Sequence, residues 1–308
     1  MQKELKIHPP KIKPKVLFNR RGALGDVLML TPLIKRFYEE RNGECEIYIL
    51  TLHEHIFSNN PYVTQTFNKL DNSLSFDLIF NLNGSYEKNN DRHVLDAYEE
   101  LVFGYRSEQR FCELYPDNRD SYYVDSLLSN KGDFIVLHMR GISRLSDQVA
   151  KNIEREIWLQ IIVNIYNNSQ AKILQIGGPE DLFFGDNDRL IDLRSNLTAQ
   201  QIKLLCARAS CFIGSDSGPA HIAACTDVPM VVLYTIAPVE YFLPEREKGV
   251  TLPIKADIEC QGCLRNVKLG EGLNCKREMQ CTKSFSPVAI SSLVFDLINQ
   301  KRTADLCI

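Results

Sequence analysis

Two short stretches of this chain each end an apolar run in a glycine-containing turn and set an acidic residue beside it. In "CFIGSDSGPAHIAACTDVPMVVLY", residues 211–234, a strand, a sharp turn, a short helix and a second strand follow one another, with Asp216-Ser217-Gly218-Pro219 at the turn and His221 just inside the helix. Consecutive backbone N–H groups at a strand end, together with the positive end of a helix dipole, suit a phosphate. Gly218 lacks a Cβ and lets the backbone approach a ligand, while Pro219 gives up an amide that would have no partner anyway. The alternative is that Asp216 or Ser217 simply caps the helix and His221 is a packed helix residue. The second stretch, "NRRGALGDVLMLTP", has a Gly-x-x-Gly-Asp spacing that differs from the Gly-x-Gly-x-x-Gly of dinucleotide folds and counts against a dehydrogenase. Asp26 there is either a helix cap or a carboxylate projecting into a cleft as a general base.

A third constellation is Cys260, Cys263, Cys275 and Cys281, a C-x2-C-x11-C-x5-C pattern in a loop rich in Gly and Lys, including Gly262, Gly270 and Gly272. Four thiolates so spaced suit a structural tetrahedral Zn or Fe ion with no open position for water; reduced loop cysteines or a redox disulfide are the alternatives. The other six cysteines, Cys45, Cys112, Cys206, Cys211, Cys225 and Cys307, lie in or beside apolar segments as small hydrophobes. Asp186-Asn187-Asp188, the one D-x-D, sits where Asp and Asn make turns and is read as a turn rather than a site for a catalytic divalent metal.

The elements that must position these residues alternate. Strand-like runs at 15–20, 45–50 and 76–82 flank a helix-like "DVLMLTPLIKRFYEERN". The pattern restarts with "DFIVLHMR" (133–140), "EREIWLQIIVNIYN", "KILQIGG" (172–178) and "LTAQQIKLLCARA". That order predicts α/β architecture with parallel sheets. Polar, weakly periodic residues from about 104 to 131 place a boundary between an N-terminal domain, 1–130, and a C-terminal domain, 131–308. The second domain carries the Cys-rich loop (258–284) and a closing helix begun by Ser286 as N-cap and Pro287 as first residue. Two open α/β domains bind ligands at the carboxyl ends of their strands.

The chain has 308 residues, 44% hydrophobic content and a formal net charge of -3, enough length for two domains and no global attraction to nucleic acid. No apolar run approaches a membrane span, and "MQKELKIHPPKIKPK" has lysines without the apolar core of a signal peptide. The expectation is a soluble cytoplasmic protein whose basic arm is either a disordered tail or a peripheral contact with anionic inner-membrane lipid. Oligomeric state is not legible.

"GALGDVLMLTPLIKRF" with "LTAQQIKLLCARASCFIGSDSGPAHIAACTDVPMVVLY" resembles glycosyltransferase family 9, the bacterial heptosyltransferases, as do "FDLIFNLNG", "RHVLDAYEELVFG" and the closing "SPVAI". The resemblance implies a GT-B fold, two Rossmann-like domains with a deep interdomain cleft, with an acceptor-side first domain and a second that binds the nucleotide sugar. It implies Asp26 as catalytic base, Asp216, Ser217, Gly218 and His221 against the diphosphate-sugar, Lys151 stabilising the phosphates, and Glu180 on the ribose. Some relatives carry a similar Cys-rich insert. Thr235 in "YTIAPVEYFLP" stands where the family usually has Gly. The implied activity is inverting transfer of a heptose, most simply from ADP-heptose, to a glycan or protein hydroxyl without a catalytic divalent metal. A transferase using another nucleotide sugar, or a silent sugar-nucleotide-binding protein with a metal-knuckle docking surface, are the alternatives.

Overall fold

In the computed structural model the described residues are 13–70, 73–88, 91–108, 110–129, 131–140, 150–267 and 273–306, with side chains as far as residue 300. The N-terminal arm to residue 12, the segment between Arg140 and Ala150, Gly270, Gly272 and Cys307 lie outside them.

Short apolar runs build two parallel sheets. The first contains β1 (Lys15–Asn19), β2 (Glu46–Leu50), β3 (Gln65–Phe67) and β4 (Leu78–Asn81) in the order β3-β2-β1-β4. The second contains β5 (Phe134–His138), β6 (Lys172–Ile176), β7 (Leu190–Asp192), β8 (Cys211–Ser215), β9 (Met230–Tyr234) and β10 (Thr251–Lys255) in the order β10-β9-β8-β5-β6-β7. Each sheet reverses its winding direction once, between β1 and β4 and between β5 and β8, and such switch points open a crevice at the strand ends.

Helices α1 (Leu24–Leu28), α2 (Leu30–Glu40), α3 (Val94–Phe103) and α4 (Asn118–Leu128) accompany the first sheet along the chain. With the second come α5 (Arg155–Asn168), α6 (Ala199–Arg208), α7 (Gly218–Ala223), α8 (Val239–Phe242) and α9 (Pro287–Leu306). Burial follows the two-residue period of a strand. Ile135 and Leu137 of β5 pack with Trp158, Ile161 and Ile165 of α5 and with Val294 and Leu297 of α9. Phe134 and Val136 face the other way, into a core shared with α6, α7, β1 and α2. The layer of α6 and α7 thus lies between the sheets, and one apolar cluster serves both halves.

Three local outcomes have clear causes. The helix expected from residue 26 onward breaks at Met29: Pro32 has no N–H for the carbonyl of Leu28, and the Thr31 hydroxyl donates to it instead at 2.8 Å. The segment 104–131, read as a polar boundary, contains α4, whose N-cap Asp117 accepts from the amides of Arg119 and Asp120 and which packs on α6. The closing helix begins as expected, with Ser286 Oγ accepting from Ala289 N at 3.3 Å.

Candidate active site

The Gly-x-x-Gly-Asp turn follows β1 directly. Asp26 Oδ2 accepts from Arg20 Nη2 at 2.8 Å and from Ala23 N at 3.1 Å, and Oδ1 accepts from the Tyr86 hydroxyl at 3.2 Å. It therefore caps α1 with one oxygen and turns the other toward Tyr86. Arg20 is 2% exposed; it also donates to Glu87 Oε1 at 2.7 Å and to the Leu82 carbonyl at 3.2 Å, with the Tyr86 and Tyr98 rings beside its guanidinium. Burial works against this charge; Tyr98, Asp26, Tyr86 and Glu87 together outweigh it and hold the guanidinium above its ordinary range. Burial, then Asp26, pushes the Tyr86 phenol well up and keeps it a donor. Gly22 is needed here, since a Cβ would lie 2.7 Å from Asp26 Oδ2.

The second turn lies opposite. α7 packs against α1, and Gly25 and Gly218 make the approach possible: a Cβ on Gly25 would meet His221 Cδ2 at 3.0 Å, and one on Gly218 would meet Leu24 Cδ2 at 2.6 Å. The space read as room for a ligand beside Gly218 is thus, in the Cβ direction, filled by Leu24. Neither polar residue of the turn is spent on capping. Ser217 makes no side-chain cap bond, and Asp216 Oδ2 pairs with Lys151 Nζ at 2.6 Å, with the Lys151 ammonium 5.2 Å from the Phe242 ring centre. Phe242 in turn meets the Tyr86 ring edge-on at 5.8 Å. Asp26, Tyr86, Phe242, Lys151 and Asp216 form a continuous line across the two halves. His221 is buried beside it, and burial drives it down to about 4 against the pull of Asp216 and Asp26, so it is neutral at pH 7.

A cavity of about 940 Å³ opens next to this line. Leu24 and His55 contribute to it from the first half; His138, Glu180 and Asp181, at the ends of β5 and β6, contribute from the second, with the turn residues Ser217, Gly218 and Pro219. Of the residues singled out in the sequence, Glu180, Ser217 and Gly218 are in this wall. Asp26, Lys151, Asp216, His221 and the buried Thr235 are outside it. Arg20, Tyr86, His138 and Asp181 escaped the sequence reading. The available signal was a polar residue ending an otherwise apolar strand run, as His138 ends "FIVLH".

The cysteine loop shares one neighbourhood. Burial and then the nearby sulfurs of Cys263, Cys275 and Cys260 push the Cys281 thiol up to about 12, and burial, Cys260 and Cys275 raise that of Cys263. Met279 N–H donates to Cys275 Sγ at 3.2 Å. The donor set suits a soft tetrahedral ion. Among the described residues, however, no three His, Cys, Asp or Glu side chains stand close enough together to hold a metal. Asp186-Asn187-Asp188 forms a turn: Asp186 Oδ1 accepts from Asp192 N, and Asn187 Oδ1 from the amides of Arg189 and Leu190. Among the described residues no helix is long and apolar enough to cross a membrane.

Solved structures share this architecture. The glycosyl transferase family 9 protein of Veillonella parvula DSM 2008 superposes with a TM-score of 0.70 at 14% identity, covering 94% of this chain and 99% of that one. TibC of enterotoxigenic E. coli H10407, described as a dodecameric iron-containing heptosyltransferase in complex with ADP-D-beta-D-heptose, gives 0.69 at 16% identity, over 95% of this chain and 79% of TibC. The E. coli ADP-heptose lps heptosyltransferase II gives 0.68 at 16%, over 94% and 99%. The fold is therefore the GT-B arrangement of two Rossmann-like units. No curated protein matches in sequence. The family model described as "Glycosyltransferase family 9 (heptosyltransferase)" matches residues 79–272, well over half of the sequence: the chain belongs to that family and is a glycosyltransferase.

Proposed function

We propose that this enzyme transfers a heptose from ADP-heptose to a hydroxyl of a glycan or protein, with inversion at the anomeric carbon. The observation that carries the reading is the meeting of two turns, one with a hydrogen-bonded carboxylate and one opening onto a 940 Å³ cavity, each at the switch point of its own sheet. Residues 1–130 serve the acceptor and 131–308 the donor.

The acceptor hydroxyl approaches Asp26 Oδ1, the oxygen not used for capping, and gives up its proton as its oxygen attacks the anomeric carbon. Arg20 and Tyr86 fix the carboxylate during this transfer. As the bond to the diphosphate breaks, negative charge grows on the phosphate oxygens. The amides of the Ser217-Gly218 turn and the Lys151 ammonium, steered by Asp216, stabilise it. Glu180, exposed in the cavity wall, takes the ribose hydroxyls in this reading. His221, neutral and buried, keeps α7 seated against Gly25 and is assigned in this reading to the sugar-diphosphate end of the site.

In the same reading Cys260, Cys263, Cys275 and Cys281 would hold one structural Zn or Fe ion, drawn closer together than they stand here. The enzyme works in the cytoplasm, its basic arm being the segment that would meet an anionic inner-membrane surface. Incubating the purified protein with ADP-heptose, ADP-glucose, UDP-glucose and GDP-mannose, with lipopolysaccharide-core and protein acceptors, tests the reading. ADP release that needs both ADP-heptose and an acceptor is expected. Turnover with another donor only, or donor binding with no turnover under any combination, would overturn it.

A further inference from the structure

The cavity wall holds one hydrogen-bonded side-chain chain that the proposed chemistry leaves unused. His138, 4% exposed, ends β5, and Ser217 follows β8, its neighbour across the switch point. Ser217 Oγ lies 3.0 Å from His138 Nδ1 and also 3.0 Å from the Ser215 carbonyl oxygen. His138 Nε2 lies 3.2 Å from Asp181 Oδ2, which also accepts from Gly178 N at 2.7 Å. Gly177, at φ +142°, makes room for that carboxylate, because a Cβ there would fall 2.2 Å from Asp181 Oδ2. The chain is thus built from both sides, and all three side chains border the cavity.

Counting protons shows what it can do. Asp181 accepts the Nε2 proton, so the question is what occupies Nδ1. The Ser217 hydroxyl has one proton and two lone pairs. If His138 is neutral, Nδ1 is an acceptor that competes for the single Ser217 proton and leaves lone pairs facing the cavity. If His138 carries a second proton, Nδ1–H donates into Ser217 Oγ, and the Ser217 proton goes to the Ser215 carbonyl, so that every member of the chain is satisfied. The imidazolium then also adds a positive charge to the wall.

We propose that Asp181, His138 and Ser217 form a proton relay that couples binding of the donor diphosphate to protonation of His138, making His138 a positioning residue for the donor. This rests on the reading that the cavity takes a nucleotide sugar. The proton comes from solvent, forms the Nδ1–H bond of His138, and returns to solvent when the diphosphate leaves; no other bond changes. The groups facing His138 are accounted for. Arg140 lies two residues past the end of β5, Glu180 and Asp181 come from the turn after β6, and His55 comes from the first half. Arg194 holds the Asp181 carbonyl at 2.7 Å and keeps its own charge on Asp192. Asp216 is matched by Lys151. Asp181 is the one carboxylate hydrogen-bonded to the ring.

Calorimetry with ADP-glucose tests this, since its diphosphate is a diester with no proton to gain near neutral pH. Titrations of the full chain at pH 7.5 in phosphate, HEPES and Tris, whose ionisation enthalpies differ, count the protons taken up on binding. The relay predicts net proton uptake on binding and an affinity that falls as pH rises. His138→Asn, which keeps a polar group near the Nδ1 position but cannot titrate, should bind with no uptake and a flat pH profile. Ser217→Ala should bind more weakly and lose most of the uptake, and it serves if the histidine variant unfolds. Wild-type binding without uptake, or uptake unchanged in His138→Asn, overturns the relay while leaving the donor reading intact. If neither ADP nor ADP-glucose binds the wild type, the donor reading falls and takes the relay with it.

Discussion

Replacing Asp26 with Asn separates its capping bond from its proposed role as base. Asp26 is the third residue of α1 and accepts from the amide of the N-cap Ala23; Asn keeps a side-chain oxygen for that amide, so the capping bond survives. Arg20 loses one of two carboxylate partners but keeps Glu87 at 2.7 Å and the Leu82 carbonyl at 3.2 Å. A charged hydrogen bond weakened to a neutral one costs about 1–2 kcal/mol. At roughly 2–4 °C per kcal/mol, Tm should fall by only a few degrees. The rate responds quite differently, since loss of a general base costs about 10²–10⁴-fold, equivalent to roughly 2.7–5.4 kcal/mol of barrier. The assay pairs ADP release from ADP-heptose plus acceptor with a melting curve and calorimetric ADP binding on one preparation. The expected result is a Tm within a few degrees of wild type, unchanged ADP affinity and turnover down at least a hundredfold. Near wild-type turnover at an unchanged Tm would reduce Asp26 to a cap and refute the argument.

Tyr86→Phe removes the donor to Asp26 Oδ1 but leaves the Phe242 contact, so kcat should fall about 3–10-fold with little change in stability, for the loss of about one hydrogen bond. Gly218→Val drives a side chain into Leu24 and should cost about 1–3 kcal/mol as well as donor affinity; adding Leu24→Ala should restore much of the Tm, and no recovery would show that the clash is elsewhere. His221 has a folded-state value depressed to about 4, so it stabilises the fold above its unfolded value of about 6.5 and loses that contribution as pH falls from there toward 4, about 3 kcal/mol in all. His221→Gln should flatten the stability profile over that window relative to wild type, as measured by urea melts at pH 7 and pH 4.5. Elemental analysis of protein purified without added metal should find one Zn or Fe per chain, lost in a Cys260→Ser/Cys263→Ser double variant; no stoichiometric metal would leave a thiol or disulfide loop.

The sequence shows the major strands because parallel strands buried on both faces are unbroken apolar runs, and all five residues of β5, β8 and β9 are buried. It conceals β3, β7 and β10, of which two are three residues long and the third contains Pro253, tolerable because β10 is an edge strand. The polarity of α4 hides it too, since Val124 is its sole buried residue. In the site, glycine punctuation marks Asp26 and the Asp216–His221 turn, because a close backbone approach leaves a local trace in the sequence. Tyr86 and His138 meet their partners only through tertiary folding, Tyr86 lying 60 residues from Asp26 and His138 79 from Ser217, and Arg20 and Asp181 reach Glu87 and His138 across 67 and 43 residues. No spacing rule reaches that far.

Leu24 fills the notch beside Gly218 although nearly two hundred residues separate them in the chain. This has a consequence for the order of events during synthesis. The first sheet can assemble as soon as β4 emerges, but α1 lacks its packing partner until α7 is made, because the core there is completed by Ala220, Ile222 and Ala223. Until then a nascent first half carries an apolar flank on α1. On the proposed reading the two turns of the site meet only at docking, in one late step, so a chain truncated before residue 218 would be both sticky and inert. A half-made enzyme of that design would have no means of spending its donor on water.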